Sequence, residues 1–109
     1  MNVNTDAPNE DKRIIINSFM QELCRLDNDA STGHRHENAA TVEEIRHRVL
    51  RAYSLEYIIP FLREHKLENK SSEPFEFLDG EQRVRLTDAG RNRCGHASAK
   101  RASQQILNG

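Results

Sequence analysis

The 109-residue sequence predicts a mostly helical α+β domain: three helices, then a β-hairpin, then a C-terminal helix. Apolar residues recur every three or four positions through much of the chain, the period of helices packed against a core. Two short segments, residues 75–77 and 83–86, instead alternate apolar and charged residues, as half-buried strands do. A chain of this length is sufficient for one small domain.

The first helix is expected to begin at Lys12, after a polar leader, residues 1–11, that we expect to be disordered. Its apolar face consists of side chains three or four positions apart: Ile15, Phe19, Leu23 and Leu26. Residues 27–40 interrupt this period with Asn, Asp, Ser, Gly and His, so they are expected to form a loop.

The second helix is expected to start at Thr41-Val42-Glu43-Glu44, which has the form of a capping box. The third begins between Arg51 and Ser54, since serine is a good N-cap but the apolar phase allows an earlier start. Pro60 lies inside it. We expect the proline to bend this helix without breaking it, because the apolar phase continues beyond the proline.

The predicted strands Phe75-Glu76-Phe77 and Arg83-Val84-Arg85-Leu86 flank the turn dipeptide Asp79-Gly80, which indicates a hairpin. Thr87 is expected to cap a final helix that carries Ala89 and Cys94. The single domain would then span residues 12–103, with residues 104–109 as a frayed tail.

Composition restricts the class of protein. Hydrophobic residues make up 36% of the chain and charged residues 30%, so a small core must carry a highly charged surface. The longest apolar run is Ile14-Ile15-Ile16, far short of the roughly 20 residues of a membrane span. The polar, acidic start is unlike a signal peptide, so we expect a soluble cytoplasmic protein. Cys24 and Cys94 lie on separate predicted helices and are expected to be reduced thiols.

Charge is distributed unevenly, although the net charge is only −1. Residues 1–40 hold seven acids and four bases, a net of −3, whereas residues 81–101 hold six bases and two acids, a net of +4. A local basic patch can supply phosphate contacts even when the whole chain is close to neutral. The distribution is therefore compatible with a nucleic-acid partner.

The order of elements and two motifs resemble the winged helix-turn-helix family, especially its small archaeal and bacterial transcription-regulator domains. These typically end the recognition helix in Leu-x-x-x-Gly-Leu and leave the wing through Leu-Thr-x-x-Gly. The corresponding segments here are Leu62-Arg63-Glu64-His65-Lys66-Leu67, with Lys66 in place of glycine, and Leu86-Thr87-Asp88-Ala89-Gly90. The resemblance covers residues 41–93, about half the chain. It implies a DNA-binding transcription regulator and not an enzyme.

The resemblance also implies where DNA contacts would lie. The end of the second helix would contribute Arg46, Arg48 and Arg51. The third helix and its start would contribute Tyr53, Ser54, Tyr57 and Arg63. The wing would contribute Lys70, Ser71, Arg83 and Arg85. Two glutamates on the exposed face of the third helix, Glu56 and Glu64, depart from this pattern because they repel phosphate.

The alternative is a winged-helix module for protein–protein interaction or dimerisation, without sequence-specific DNA binding. The run Ile14-Ile15-Ile16 gives the first helix more than one apolar side, which favours a homodimer through that helix, with the C-terminal helix as a second candidate. Paired DNA half-sites also require a two-fold dimer, so a homodimer is expected of a DNA-binding protein as well. Arginines gathered beside the third helix would indicate DNA binding, whereas an apolar patch there would indicate a protein partner.

Other chemistry has little support in the sequence. The pairs His34/His36 and Cys94/His96 lack the spacing of known zinc motifs, so no metal or other cofactor is implied. Phosphate-binding glycine loops, nucleophile elbows and paired carboxylates are also missing from the sequence.

Overall fold

The structure, a computed structural model, describes the backbone of residues 3–94 and the side chains of residues 9–94. The described chain is α+β and mostly helical, which confirms the predicted class. Its elements in order are α1 (Val3–Ser31), β1 (Ala40–Thr41), α2 (Val42–Val49), α3 (Leu55–Glu68), a 3-10 turn (Lys70–Ser72), β2 (Phe75–Leu78), β3 (Arg83–Leu86) and α4 (residues 88–94).

Helix α1 is longer than predicted. It begins at Val3, so it includes residues 3–11 of the segment expected to be a disordered leader, and it ends at Ser31, inside the expected loop. The helix stops at Gly33, whose φ of 84° is a left-handed conformation that favours glycine. Neither α1 nor any other helix of the described chain is long and apolar enough to cross a membrane.

The apolar face predicted for α1 is confirmed. Its side chains pack against α2, α3 and the sheet in one core and are at most 1% exposed: Ile15, Phe19, Leu23 and Leu26. Ile16 is also buried, at 8% exposure, and only Ile14 of the isoleucine run is substantially exposed, at 39%. The second apolar side that favoured a dimer through α1 is thus mostly used within the protomer.

Strand β1 was not predicted from the sequence. Its two residues pair antiparallel with β3, Ala40 opposite Val84 and Thr41 opposite Arg83, which makes a three-stranded sheet of order β1-β3-β2. Two residues cannot display a period of two, so no strand pattern was available. Thr41 also confirms the predicted helix start, because its Oγ1 accepts a 2.9 Å hydrogen bond from the amide of Glu44.

The predicted hairpin is confirmed. Strands β2 and β3 pair antiparallel, with Phe75 opposite Leu86 and Leu78 opposite Arg83. Asp79 and Gly80 in the turn both have positive φ, 53° and 71°, which is the conformation that Asp-Gly dipeptides favour.

Helix α3 starts after Ser54, whose Oγ accepts a 3.2 Å hydrogen bond from the amide of Tyr57. This settles the choice between an early and a late start. The helix continues across Pro60 to Glu68, so the proline does not break it, as predicted. Ile58 and Leu62 are both fully buried and fix α3 against the core.

The Leu-Thr-x-x-Gly segment has a steric explanation. Thr87 Oγ1 accepts a 3.1 Å hydrogen bond from the amide of Gly90 and donates one to the carbonyl of Glu73. This arrangement caps α4 and brings it against the chain that enters β2. A Cβ added at Gly90 would overlap the carbonyl oxygen of Pro74 and lie 2.8 Å from Leu86 Cδ1. Glycine is therefore required at this position by close packing.

Gly90→Ala is expected to lower the free energy of unfolding by about 3 kcal/mol, since the added methyl group must displace backbone. The measurement is urea unfolding followed by circular dichroism. Asn92→Ala, at an exposed position of the same helix, is the control and should change the free energy by no more than about 0.5 kcal/mol. Equal stability of Gly90→Ala and the unchanged protein would contradict the proposed close packing.

Candidate nucleic-acid interface

Helix α3 and the tip of the hairpin form one continuous face. The guanidinium of Arg63, on α3, donates two hydrogen bonds to the carboxylate of Glu81, in the hairpin turn. These bonds hold the pKa of the Glu81 carboxyl below its usual value. Leu55, Ile59 and Gln82 help to line a shallow groove of about 390 Å³ beside this ion pair.

Most of the seven arginine and lysine residues that were predicted to contact DNA form ion pairs with carboxylates. Five of the seven form ion pairs: Arg46 with Glu43, Arg48 with Glu22, Arg63 with Glu81, Arg83 with Glu37, and Arg85 with Glu76. Arg51 and Lys70 are exposed, and neither has an ion-pair partner among residues 9–94. The structure does bring arginines close to α3, but it also brings the acids that neutralise them.

Two of the predicted contacts hold helices together. Arg46 Nη1 donates a 3.0 Å hydrogen bond to the carbonyl of Tyr53 and so fixes the turn between α2 and α3. Arg48 Nε lies 3.0 Å from Glu22, a carboxylate on α1 whose side chain is only 4% exposed. A buried charge requires a cationic partner, and Glu22 has two, Arg48 and Arg25. Both arginines therefore have structural roles that the sequence analysis did not anticipate.

The two tyrosines are also tied to α1. Their rings stack with centroids 5.7 Å apart, and both hydroxyls donate to the carboxylate of Asp11, at 3.4 Å from Tyr53 and 2.6 Å from Tyr57. The hydrogen bond to Asp11 raises the pKa of the Tyr57 hydroxyl. The tyrosine hydroxyls predicted to contact DNA thus already have a hydrogen-bond partner within the chain, and the Ser54 hydroxyl serves as the N-cap of α3.

Lys70 and Ser71 were predicted to belong to the wing, and this is wrong. They lie in the 3-10 turn between α3 and β2, ahead of the hairpin, with exposed side chains. Only Arg83 and Arg85, of the four residues assigned to the wing, lie on the hairpin itself.

A second, larger groove of about 770 Å³ lies where α1, α3 and α4 meet. Cys24 of α1 and Cys94 of α4 form a disulfide in its wall, with their Cα atoms 5.9 Å apart. The expectation of two unpaired thiols is therefore wrong. A separation of 70 residues left no local signal for the pairing.

His65, on α3, lies between this groove and the core, with its ring stacked on Phe75 at 6.2 Å. Its Nε2 is buried and has no hydrogen-bond partner among the described residues. Burial, aided by the charge of Arg93, lowers the pKa of His65 below 6.5. Burial therefore favours the neutral imidazole in the folded protein.

Acidification is expected to destabilise the protein through His65. The unfolded state, whose histidine has the ordinary pKa, binds a proton at higher pH than the folded state does. Stability is thus fully retained above about pH 6.5 and is lost as the pH falls from there through the lower folded pKa. The urea midpoint should drop between pH 7 and pH 5.5. His65→Gln should flatten that dependence; an unchanged slope would exclude His65 as its source.

The histidine loop after α1 offers no metal centre in the described structure. Thr32 Oγ1 lies 2.8 Å from His34 Nδ1. No group of three His, Cys, Asp or Glu side chains among the described residues is arranged to hold a metal ion. His96, the partner considered for Cys94, lies outside the described residues.

Comparison with known proteins gave no match: no protein-family model, no curated protein and no solved structure aligns significantly with this chain. The assignment of the candidate interface therefore depends only on the contacts within this chain.

Proposed function

We propose that this chain is a winged helix-turn-helix domain that binds duplex DNA and serves as a transcription regulator. Helix α3 would be the recognition helix and the β2–β3 hairpin the wing. The observation that carries the proposal is the contact between Arg63 and Glu81, because it joins α3 and the hairpin tip into one face. The helices that precede the hairpin and the capped helix that follows it support the same assignment.

The dimensions of α3 suit a major groove. Its fourteen residues form a helix about 21 Å long. The major groove of B-DNA is about 12 Å wide and admits one α-helix. The N-terminal end of α3 follows Arg51, an exposed cation, and its middle carries Arg63. These two arginines are our best candidates for direct contact with DNA.

The carboxylate partners do not prevent phosphate binding. Arg63 and Arg85 are about half exposed, at 56% and 49%, and such surface ion pairs contribute no more than about 1 kcal/mol each. A phosphate can therefore replace Glu81 or Glu76 at small cost. Arg48 differs, since its partner Glu22 is buried, so we propose that Arg48 stays with the protein.

Glu81→Gln is expected to strengthen DNA binding several-fold at low salt. The substitution removes a negative charge from the face and releases Arg63, which adds about one phosphate contact. The slope of log K against log salt should steepen by about 0.9. The measurement is fluorescence anisotropy of a random-sequence duplex over a salt series.

The matched control is Asp29→Asn. It makes the same charge change at an arginine-paired carboxylate on α1, outside both α3 and the hairpin. The combined variant Arg63→Ala with Glu81→Gln should lose the gain. No binding of any variant at low salt, or an equal gain in the control, would refute α3 and the hairpin as the DNA-binding face.

The second candidate is a winged-helix interaction module without sequence-specific DNA binding. It is favoured by Leu67, which is 73% exposed on α3, and by Tyr57, which is 40% exposed. A homodimer that uses Leu67 would be converted to a monomer by Leu67→Glu, as measured by light scattering. If self-association survives Leu67→Glu but is abolished by Ile14→Glu, the dimer interface lies on α1 instead.

A further inference from the structure

We propose that Cys24 and Cys94 form a reversible redox site, in which oxidation by a small disulfide fixes the end of α4 to α1 and reduction releases it. These are the only two cysteines in the chain. Their Cα atoms are 5.9 Å apart, within the range that a disulfide spans without backbone movement. The pair can therefore close within one molecule, in the folded state, whenever an oxidant is present.

The pair is accessible to small molecules. Both cysteines are half-buried, pack at the edge of the core, and line the 770 Å³ groove between α1, α3 and α4. A disulfide enclosed in a core is protected from exchange, whereas one that lines an open groove can be attacked by a thiolate from solvent. The groove is large enough for a short peptide thiol.

The charges around the groove favour exchange. Arg25 and Arg93 both line it. Arg25 is bridged to Glu22 and Asp29, but Arg93 donates only to the neutral amide oxygen of Asn69 among the described residues. A nearby guanidinium stabilises a thiolate, the form of cysteine that attacks a disulfide. Reduction therefore leaves a dithiol that is ready to be oxidised again.

The disulfide controls only one end of α4. The start of the helix is held independently, by the Thr87 cap, by the packing of Gly90 on Pro74, and by the bridge from Arg91 to Asp27. Cys94 is the last residue of the described helix, so the disulfide holds this end of α4 against α1.

This position connects the redox state to DNA. Arg93 adjoins Cys94 at this end of α4 and is exposed, so fixing or releasing that end changes how its guanidinium can reach phosphate. We expect the oxidised and reduced proteins to differ several-fold in affinity for duplex DNA. This last step rests on the proposed function, whereas the redox chemistry does not.

The exchange is balanced with a low-molecular-weight disulfide, RSSR, as the oxidant. One protein thiolate attacks RSSR, which forms a mixed disulfide and releases RS⁻. The second protein thiolate attacks the protein sulfur of that mixed disulfide, forming the Cys24–Cys94 bond and releasing a second RS⁻. The two protons of the protein thiols end on the two RSH molecules, and excess RSH reverses both steps.

The test is alkylation of the whole chain in glutathione buffers of varied ratio, with labels counted by intact mass. The expected result is a single transition between two labels and none, reversible and independent of protein concentration. Cys24→Ser is the control: its lone thiol should give a glutathione adduct and no internal bond. Two labels in every buffer would overturn the proposal, as would resistance to excess glutathione or disulfide-linked dimers.

The DNA step is tested separately, by anisotropy with oxidised and reduced protein at one low salt concentration. A several-fold difference in Kd supports the link between the redox state and DNA. Equal Kd values with normal labelling would refute that link and leave the redox site intact. Absence of DNA binding in both states would refute the proposed function, and the labelling result would stand by itself.

Discussion

Phe75→Ala is expected to lower the free energy of unfolding by about 4 kcal/mol, through lost burial and the cavity left behind. Phe75 is fully buried where three elements meet. Its ring centroid lies 5.3 Å from that of Phe19 on α1, 6.2 Å from that of His65 on α3, and 5.8 Å from that of Phe77 on its own strand. Truncation therefore removes packing between both helices and the sheet at once.

The control for this prediction is Phe77→Ala, two positions along the same strand. Phe77 is only half-buried, so its truncation should cost clearly less, about 1–2 kcal/mol. Urea unfolding followed by circular dichroism measures both. A double-mutant cycle of Phe19→Leu with Phe75→Leu should also give a coupling of about 1 kcal/mol, from the edge-to-face rings. Equal losses for Phe75 and Phe77 would show that the ring cluster is not the centre of the core.

Elements specified by neighbouring residues were predictable. The caps at Thr41 and Ser54 and the turn at Asp79-Gly80 depend on hydrogen bonds or dihedral angles within three or four residues. The apolar stripe of α1 depends only on helical period. These signals are complete within one turn of helix or one hairpin, so the sequence carries them without knowledge of the tertiary structure.

The candidate site was less predictable, because its chemistry depends on distant partners. The sequence identifies Arg63 and Tyr57 as exposed polar positions on α3. It does not reveal that Arg63 meets Glu81, 18 residues away, or that Tyr57 meets Asp11, 46 residues away. Such pairings decide whether an arginine is available for phosphate, and they exist only once the sheet and helices have packed.

Helix α1 was mispredicted at both ends for a different, local reason. Its first and last turns are polar and lack an apolar period, so a rule based on period ends the helix too soon. The helix ends at Ser31, and the chain leaves it through Gly33, which has a left-handed conformation. A C-cap glycine is a local signal, and it could have been used to extend the helix past residue 27.

Reduction of the Cys24–Cys94 disulfide is expected to lower the free energy of unfolding by about 4 kcal/mol. The bond closes a loop across a sequence separation of 70 residues, and in the chain-entropy model a loop of that size restricts the unfolded state by about this amount. This exceeds what any single surface ion pair here can contribute. The measurement is urea unfolding of the same protein with and without a reductant, with the cysteines alkylated after reduction.

The double variant Cys24→Ala with Cys94→Ala controls for other effects of the reductant. Its free energy of unfolding should match that of the reduced protein and should not change when reductant is added. Domains of this size are usually stable by 5–15 kcal/mol, so a loss of about 4 kcal/mol can leave the reduced protein folded. A folded reduced state is what a reversible redox site requires. If reduction unfolds the protein, the disulfide is a structural requirement; if stability is unchanged, the bond does not restrict the unfolded chain.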